Sequence, residues 1–210
     1  MNRAICRRPT AAGVLPTAAG NPDTMFLIRH GQSEFNVAFA QTRTDPGIVD
    51  PGLTELGRTQ AIAAAAQLSE RGLVRLIASP YTRALQTASI IAEILELPIE
   101  VQPVLGEHAF FTCDIGSPRS ELQKRWPHLT FDHVPEIWWP DTEVDEDGMI
   151  LRAAEFRAIA KGFEDHSRIG VVSHWGFIRA MTGHEVENCA IVDFDPESGS
   201  ATCLARANSD

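Results

Sequence analysis

With 210 residues, of which 44% are hydrophobic and 22% charged, the chain is long enough for one well-buried domain and is neither fibrous nor disordered in composition. A formal net charge of −10, from 28 acidic against 18 basic residues, disfavours nucleic acid and anionic membrane as partners, because like charges repel. No apolar run approaches the roughly 20 residues needed to span a bilayer, and four scattered cysteines with no CxxC pair point to reduced thiols in a cytoplasmic protein rather than to a zinc site or disulfide framework.

Residues 1–24 differ in composition from the remainder of the chain. Arg3, Arg7 and Arg8 meet no acid before Asp23, and Ala, Pro, Thr and Gly dominate. The continuous apolar core of a signal peptide is missing. A transit peptide is compatible, although Ser is absent, but a disordered leader is expected here, or an upstream start with Met25 as the natural first residue. Residues 25–210 are expected to form a single domain.

From Met25 onward, short apolar runs alternate with longer helical patterns. Met25–Ile28 reads as a buried strand that runs into Arg29-His30-Gly31. Thr54–Arg71, rich in alanine, reads as a helix. Arg75–Ala78 is a second strand, running into Ser79-Pro80-Tyr81-Thr82-Arg83 and a helix over Thr82–Leu95. Ile99–Leu105 is a third strand and ends in Gly106-Glu107-His108. Helices are predicted over Ser117–Arg125 and Leu151–His166, and a fourth strand, Arg168–Ser173, leads into His174-Trp175-Gly176 and a helix over Trp175–Thr182. Strands at Ala190–Phe194 and Ala201–Ala205 complete the pattern. The alternation predicts an α/β fold, a three-layer αβα sandwich with a mainly parallel central sheet. In such open sheets ligands collect beyond the carboxyl ends of the strands, where four of these turns would gather. A helix opening after a His-Gly turn also offers free N–H groups and a positive dipole end, which suits phosphate.

The segment Leu27-Ile28-Arg29-His30-Gly31-Gln32-Ser33-Glu34-Phe35-Asn36 resembles the Arg-His-Gly signature of the histidine phosphatase superfamily, also called phosphoglycerate-mutase-like. Ser79–Ala88 is similar to that family's second motif, Val171–Gly176 to its third, and Pro51–Gly57 to the stretch between the first two. The resemblance runs in order from about Met25 to about Asp195. It implies a phosphomonoester hydrolase that acts through a phosphohistidine on His30, with no metal and no cofactor, on a small phosphorylated metabolite; a homodimer is compatible with it. Arg29 and Arg83 would grip phosphate oxygens with their planar forks. His174, protonated, and the amide of Asn36 would donate further hydrogen bonds. His30 needs an acceptor for its other ring nitrogen to hold the right tautomer, which the sequence does not identify. Glu107 would be the proton donor, with Asp114 and Glu121 in reserve, since the stretch after it, Cys113–Gly116, departs from the form common in the mutases. Ser33 is explained nearly as well by helix capping.

Other constellations carry less. The acidic run 143–148 imitates an EF-hand opening, but Ala154 stands where the twelfth-position glutamate is needed. No GxxxxGK[ST] loop and no HxH or HExxH spacing occurs. Trp126, Trp138, Trp139 and Phe110-Phe111 suit a pocket wall and core packing equally. A phosphoglycerate mutase using the same phosphohistidine is the nearest rival. The stretch Val37–Val49 lacks the mutases' glycine-tryptophan character, and a non-catalytic binder would not need the full set of five residues.

Overall fold

The computed structural model describes residues 23–140 and 146–204, so the leader expected over 1–24 lies almost wholly outside the described residues, as does the first half of the acidic run 143–148. Six strands form one sheet in the order β3-β2-β4-β1-β5-β6: β1 (Met25–Arg29), β2 (Arg75–Ala78), β3 (Ile99–Val101), β4 (Ile169–Ser173), β5 (Ile191–Phe194) and β6 (Ala201–Cys203). The β3-β2-β4-β1 pairs are parallel, and β5 and β6 add on antiparallel, giving the mainly parallel sheet that was expected.

The sheet is covered on both faces. Successive side chains of a strand point to opposite sides, and β1 divides accordingly. Phe26 and Ile28 pack with the alanines of α2 (Glu55–Leu68) and with α3 (Thr82–Leu95). Met25 and Leu27 pack with Phe156 of α5 (Glu146–Lys161) and Phe177 of α6 (Trp175–Thr182). All four β1 residues are fully buried, each contributing about 1.5–3 kcal/mol by removal from water. A shorter helix, α4 (Arg119–Arg125), comes after β3. Among the described residues no helix is long and apolar enough to cross a membrane.

Three differences from the sequence reading have physical causes. The third strand stops at Val101 because Pro103, lacking an N–H and fixed in φ, opens a 3₁₀ turn over Pro103–Leu105. A helix over Glu34–Thr42, here α1, was not expected; it buries only Phe35, so its apolar periodicity is faint, and its start is written instead in a capping box between Ser33 and Asn36. The fifth helix begins at Glu146, ahead of Leu151, with the acidic Asp147 in its first turn, where negative charge favours the helix dipole. Cys113 and Cys189 are buried and not in a disulfide, whereas Cys203 is disulfide-bonded, which corrects the expectation of reduced thiols at that residue.

Two glycines lock the turn after β1 against the start of α2. A Cβ on Gly31 would lie 2.4 Å from the Gly57 carbonyl oxygen, and one on Gly57 would lie 2.1 Å from the carbonyl oxygen of Gln32. Backbone meets backbone there, so neither site has room for a side chain. The turn that carries His30 is thereby held against a rigid helix.

Candidate active site

Four chain segments meet at the carboxyl end of the parallel strands. Arg29 ends β1 and His30 comes next; Arg83 lies in the first turn of α3; Glu107 stands just past the 3₁₀ turn after β3; His174 occupies the N-cap position of α6 after β4. All except His174 line a cavity of about 1160 Å³, and His174 sits directly behind, its ring centroid 5.2 Å from that of His30.

His30 is only 3% exposed. Its backbone N–H donates to the Ser173 carbonyl at 2.9 Å, tying β1 to β4. Its Nδ1 lies 2.7 Å from the Gly31 carbonyl oxygen, which can only accept, so Nδ1 carries the proton and Nε2 keeps its lone pair. This carbonyl is the acceptor that the sequence left unidentified. Burial, then the charges of Arg83 and Arg29, push His30 well below its ordinary value, so the ring is neutral. A neutral, tautomer-fixed imidazole is what a nitrogen nucleophile requires.

Two arginines supply positive charge. Burial lowers Arg29 to about 10, with Glu107 partly offsetting it, so it stays cationic at neutral pH. Its Nη1 donates to the Val186 carbonyl at 2.7 Å. Arg83 is 3% exposed and paired with the equally buried Asp114, its Nη2 donating to Oδ1 at 3.1 Å and its Nη1 to the Cys113 carbonyl at 2.8 Å. Burial is the largest influence and would lower Arg83, but Asp114 together with Cys113, Tyr81 and Glu107 outweighs it, and the guanidinium is held above its ordinary value. The forked donor is oriented by protein acceptors on one side, with N–H groups still available on Nη1, Nη2 and Nε.

His174 is fully buried, and burial, then Arg83 and His30, push it well below its ordinary value. The ring is therefore neutral in this structure, where the sequence reading had it protonated; a phosphate dianion alongside would pull its affinity for a proton back up. Its Nε2 lies 2.8 Å from Ser79 Oγ. Its Nδ1 and the Nε of Arg29 are buried with no hydrogen-bond partner among the described residues. Leaving a buried polar nitrogen unsatisfied costs about 1–3 kcal/mol.

Asn36 accepts with Oδ1 from the Ser33 N–H at 3.0 Å and from Asn188 Nδ2 at 3.2 Å, which leaves its amide nitrogen as the group free to donate. Ser33 buries its hydroxyl in the same capping box, so helix capping is the role the structure gives it. Asn188 also donates to the His30 carbonyl at 3.1 Å. No motif announces Asn188, and although Ser79 opens the second motif, its role as the partner of His174 appears only in the fold.

Glu107 accepts from the backbone N–H of Gly176, at 3.0 Å to Oε1, and from that of His108 at 2.9 Å. It thus sits against the N-terminus of α6. Burial and the nearby Asp114 raise its carboxyl, and the N–H donors and Arg83 do not cancel the rise. Of the two reserves, Asp114 lines the cavity but is committed to Arg83 and to the Phe110 and Phe111 N–H groups; Glu121 is exposed on α4, away from it. The aromatic residues divide. Phe110 and Phe111 line the cavity, whereas Trp126 and Trp138 pack in the core and bond Ser89 and Ser117.

Among the described residues no group of three or more His, Cys, Asp or Glu is placed to hold a metal ion. The model of the histidine phosphatase superfamily (branch 1) matches residues 25–207. A 2,3-bisphosphoglycerate-dependent phosphoglycerate mutase of Bartonella henselae is 44% identical over 110 residues, 49% of this chain and 50% of that protein. A probable phosphoglycerate mutase of Proteus mirabilis is 30% identical over 158 residues, 71% of this chain and 68% of the other. The chain spans half or less of the length of several curated relatives it matches. In fold it is similar to a phosphoserine phosphatase of Entamoeba histolytica solved with 3-phosphoglyceric acid, with a TM-score of 0.59 and 22% identity over 89% of this chain and 98% of that one.

Proposed function

The chain belongs to the histidine phosphatase superfamily, and on that premise we propose that it hydrolyses phosphate monoesters through a phosphohistidine on His30, without a metal ion. The observation that carries the reading is the His30 ring itself: neutral, its Nδ1 proton given to the Gly31 carbonyl, its Nε2 free among Arg29, Arg83 and His174. His30 Nε2 attacks phosphorus in line and the bond to the ester oxygen breaks, while Glu107 hands that oxygen a proton. Water then attacks the phosphohistidine, Glu107 takes a proton from it, the P–N bond breaks and orthophosphate leaves. Charge spread over the transferring oxygens is met by Arg29, Arg83, His174 and the Asn36 amide.

A mutase reading draws on the sequence likeness to phosphoglycerate mutases. A mutase that works with 2,3-bisphosphoglycerate must hold that highly charged intermediate while it turns over in the site, which calls for a polar, enclosed seat on every side. The cavity lining includes Arg43, Arg179 and His184, but one whole side of it is the aromatic run Phe35, Phe39, Phe110 and Phe111, and Phe110 is 69% exposed. Hydrolysis is therefore the better account. Purified protein in EDTA is expected to release phosphate from p-nitrophenyl phosphate undiminished. Given 3-phosphoglycerate with 2,3-bisphosphoglycerate, it should form no 2-phosphoglycerate beyond traces. Rapid isomerisation without phosphate release would reverse this ranking, and loss of activity in EDTA would defeat the metal-free chemistry.

Gly176→Ala tests the seat of Glu107 without removing any functional group. The added Cβ would fall 2.4 Å from Glu107 Oε1, so the flexible carboxyl must move while the helix gains a better former. Stability is expected to stay within about 1 kcal/mol, and kcat to drop on the order of 10–100-fold because a small misplacement of a catalytic group is costly. Thermal unfolding and steady-state kinetics read the two quantities separately.

A further inference from the structure

Phosphoryl transfer leaves one wall of the cavity unexplained. Phe35 and Phe39 of α1 stack with centroids 5.4 Å apart; Phe111 lies 5.5 Å from the first and 5.1 Å from the second. Phe110 meets Phe111 edge-on at 5.2 Å, and His108 closes the run at 5.8 Å from Phe110. All five rings line the cavity. Ring surface as open to water as that of Phe110, continuous with four other rings, marks a binding surface rather than scattered exposure.

The wall starts where the leaving alcohol must be. An alcohol oxygen that takes its proton from Glu107 lies beside Glu107, and the next residue in the chain is His108, the first ring of the wall. The surface is also built in advance. Thr112 donates to Asp45 Oδ2 from its N–H at 2.8 Å and from its hydroxyl at 2.7 Å, which ties the turn bearing Phe111 to the loop after α1. The same Asp114 that pairs with Arg83 accepts from the Phe110 and Phe111 N–H groups with its other oxygen, at 3.2 Å and 3.0 Å. One carboxylate thus fixes both a phosphate-facing cation and the aromatic wall, and a preformed site spends little on ordering when it binds. The cavity's other arginines, Arg43 and Arg179, lie over rings as well, 5.8 Å from Phe39 and 5.4 Å from Trp175.

We propose that this wall receives the alcohol half of the substrate, and that the preferred phosphomonoesters carry an aromatic or extended apolar alcohol. The inference rests on the phosphomonoesterase reading above. Its test compares 2-phenylethyl phosphate, ethyl phosphate and 3-phosphoglycerate with the full chain; the first two leave as primary alcohols, so leaving-group chemistry is nearly matched. Wild-type kcat/KM is expected to be on the order of 10–100-fold higher for the phenylethyl ester than for the ethyl ester, the scale of burying one ring, and higher than for 3-phosphoglycerate. The double variant Phe39→Ala/Phe110→Ala should bring the phenylethyl-to-ethyl ratio to within about threefold of unity. Equal turnover of the two alkyl esters, preference for 3-phosphoglycerate, or an unchanged ratio in the double variant would overturn the aromatic wall while leaving the hydrolase intact. Hydrolysis of none of the three would overturn both.

Discussion

His30→Ala is expected to lower kcat for p-nitrophenyl phosphate by on the order of 10⁴–10⁶, the usual consequence of deleting a covalent nucleophile. The size reflects the groups that remain. Arg29, Arg83 and His174 still bind the phosphoryl group, but water must now attack it with no activating nitrogen in line. Wild-type enzyme quenched in alkaline denaturant should carry an acid-labile, base-stable phosphoryl group on nitrogen, and the variant should carry none. A variant that keeps more than a few per cent of activity would remove His30 from the chemistry. Stability adds a separate reading. His30 and His174 are both held below their ordinary value of 6.5 by burial, so below that pH the unfolded chain binds more protons than the folded one. Their contribution is fully present above about pH 6.5 and is lost as the pH falls. Removing one of the two histidines should therefore flatten the acid limb of the unfolding profile, so that the difference in Tm between variant and wild type moves in the variant's favour from pH 7.5 to pH 5.

Most of the nucleophilic cluster was legible in the sequence because its two histidines each stand directly after a strand. Apolar runs end abruptly at Arg29-His30 and at Ser173-His174, and a parallel sheet brings such ends to one edge. The supporting contacts were not legible. Asn188 reaches the His30 carbonyl and Asn36 across more than 150 residues of chain, from a loop with no motif. Asp114 could be read as a reserve acid, yet its role as the partner of Arg83 depends on a 3₁₀ turn that folds over the cavity. The aromatic residues show the same limit. Phe110 and Trp138 are alike on paper, and only the path of the chain sends one to the cavity and the other against Tyr81. Periodicity reports which elements form; which side chains meet is decided by topology.

Glu107→Gln is the sharper test of the mechanism, because it separates proton transfer from binding. Glutamine keeps the size and can still accept from the Gly176 and His108 N–H groups, but it cannot give up a proton to an alkoxide. Positioned acids contribute about 10²–10⁴-fold, and the loss should scale with how badly the leaving group needs a proton. An alkyl ester should suffer most of that range, whereas p-nitrophenyl phosphate, whose phenolate leaves without help, should lose far less in its first step and be limited by hydrolysis of the phosphohistidine. A burst of p-nitrophenolate and then slow turnover is the expected trace. The pH dependence comes from the raised carboxyl. Glu107 must be protonated to act as the acid, and burial with Asp114 lifts it above the ordinary 4.5, so kcat/KM for an alkyl ester should fall as the pH rises through the lifted value. In the glutamine variant that alkaline limb should vanish. Its persistence, or an equal loss for alkyl and aryl esters, would move the proton donor elsewhere in the cavity, and Asp114 would be the next carboxyl to replace.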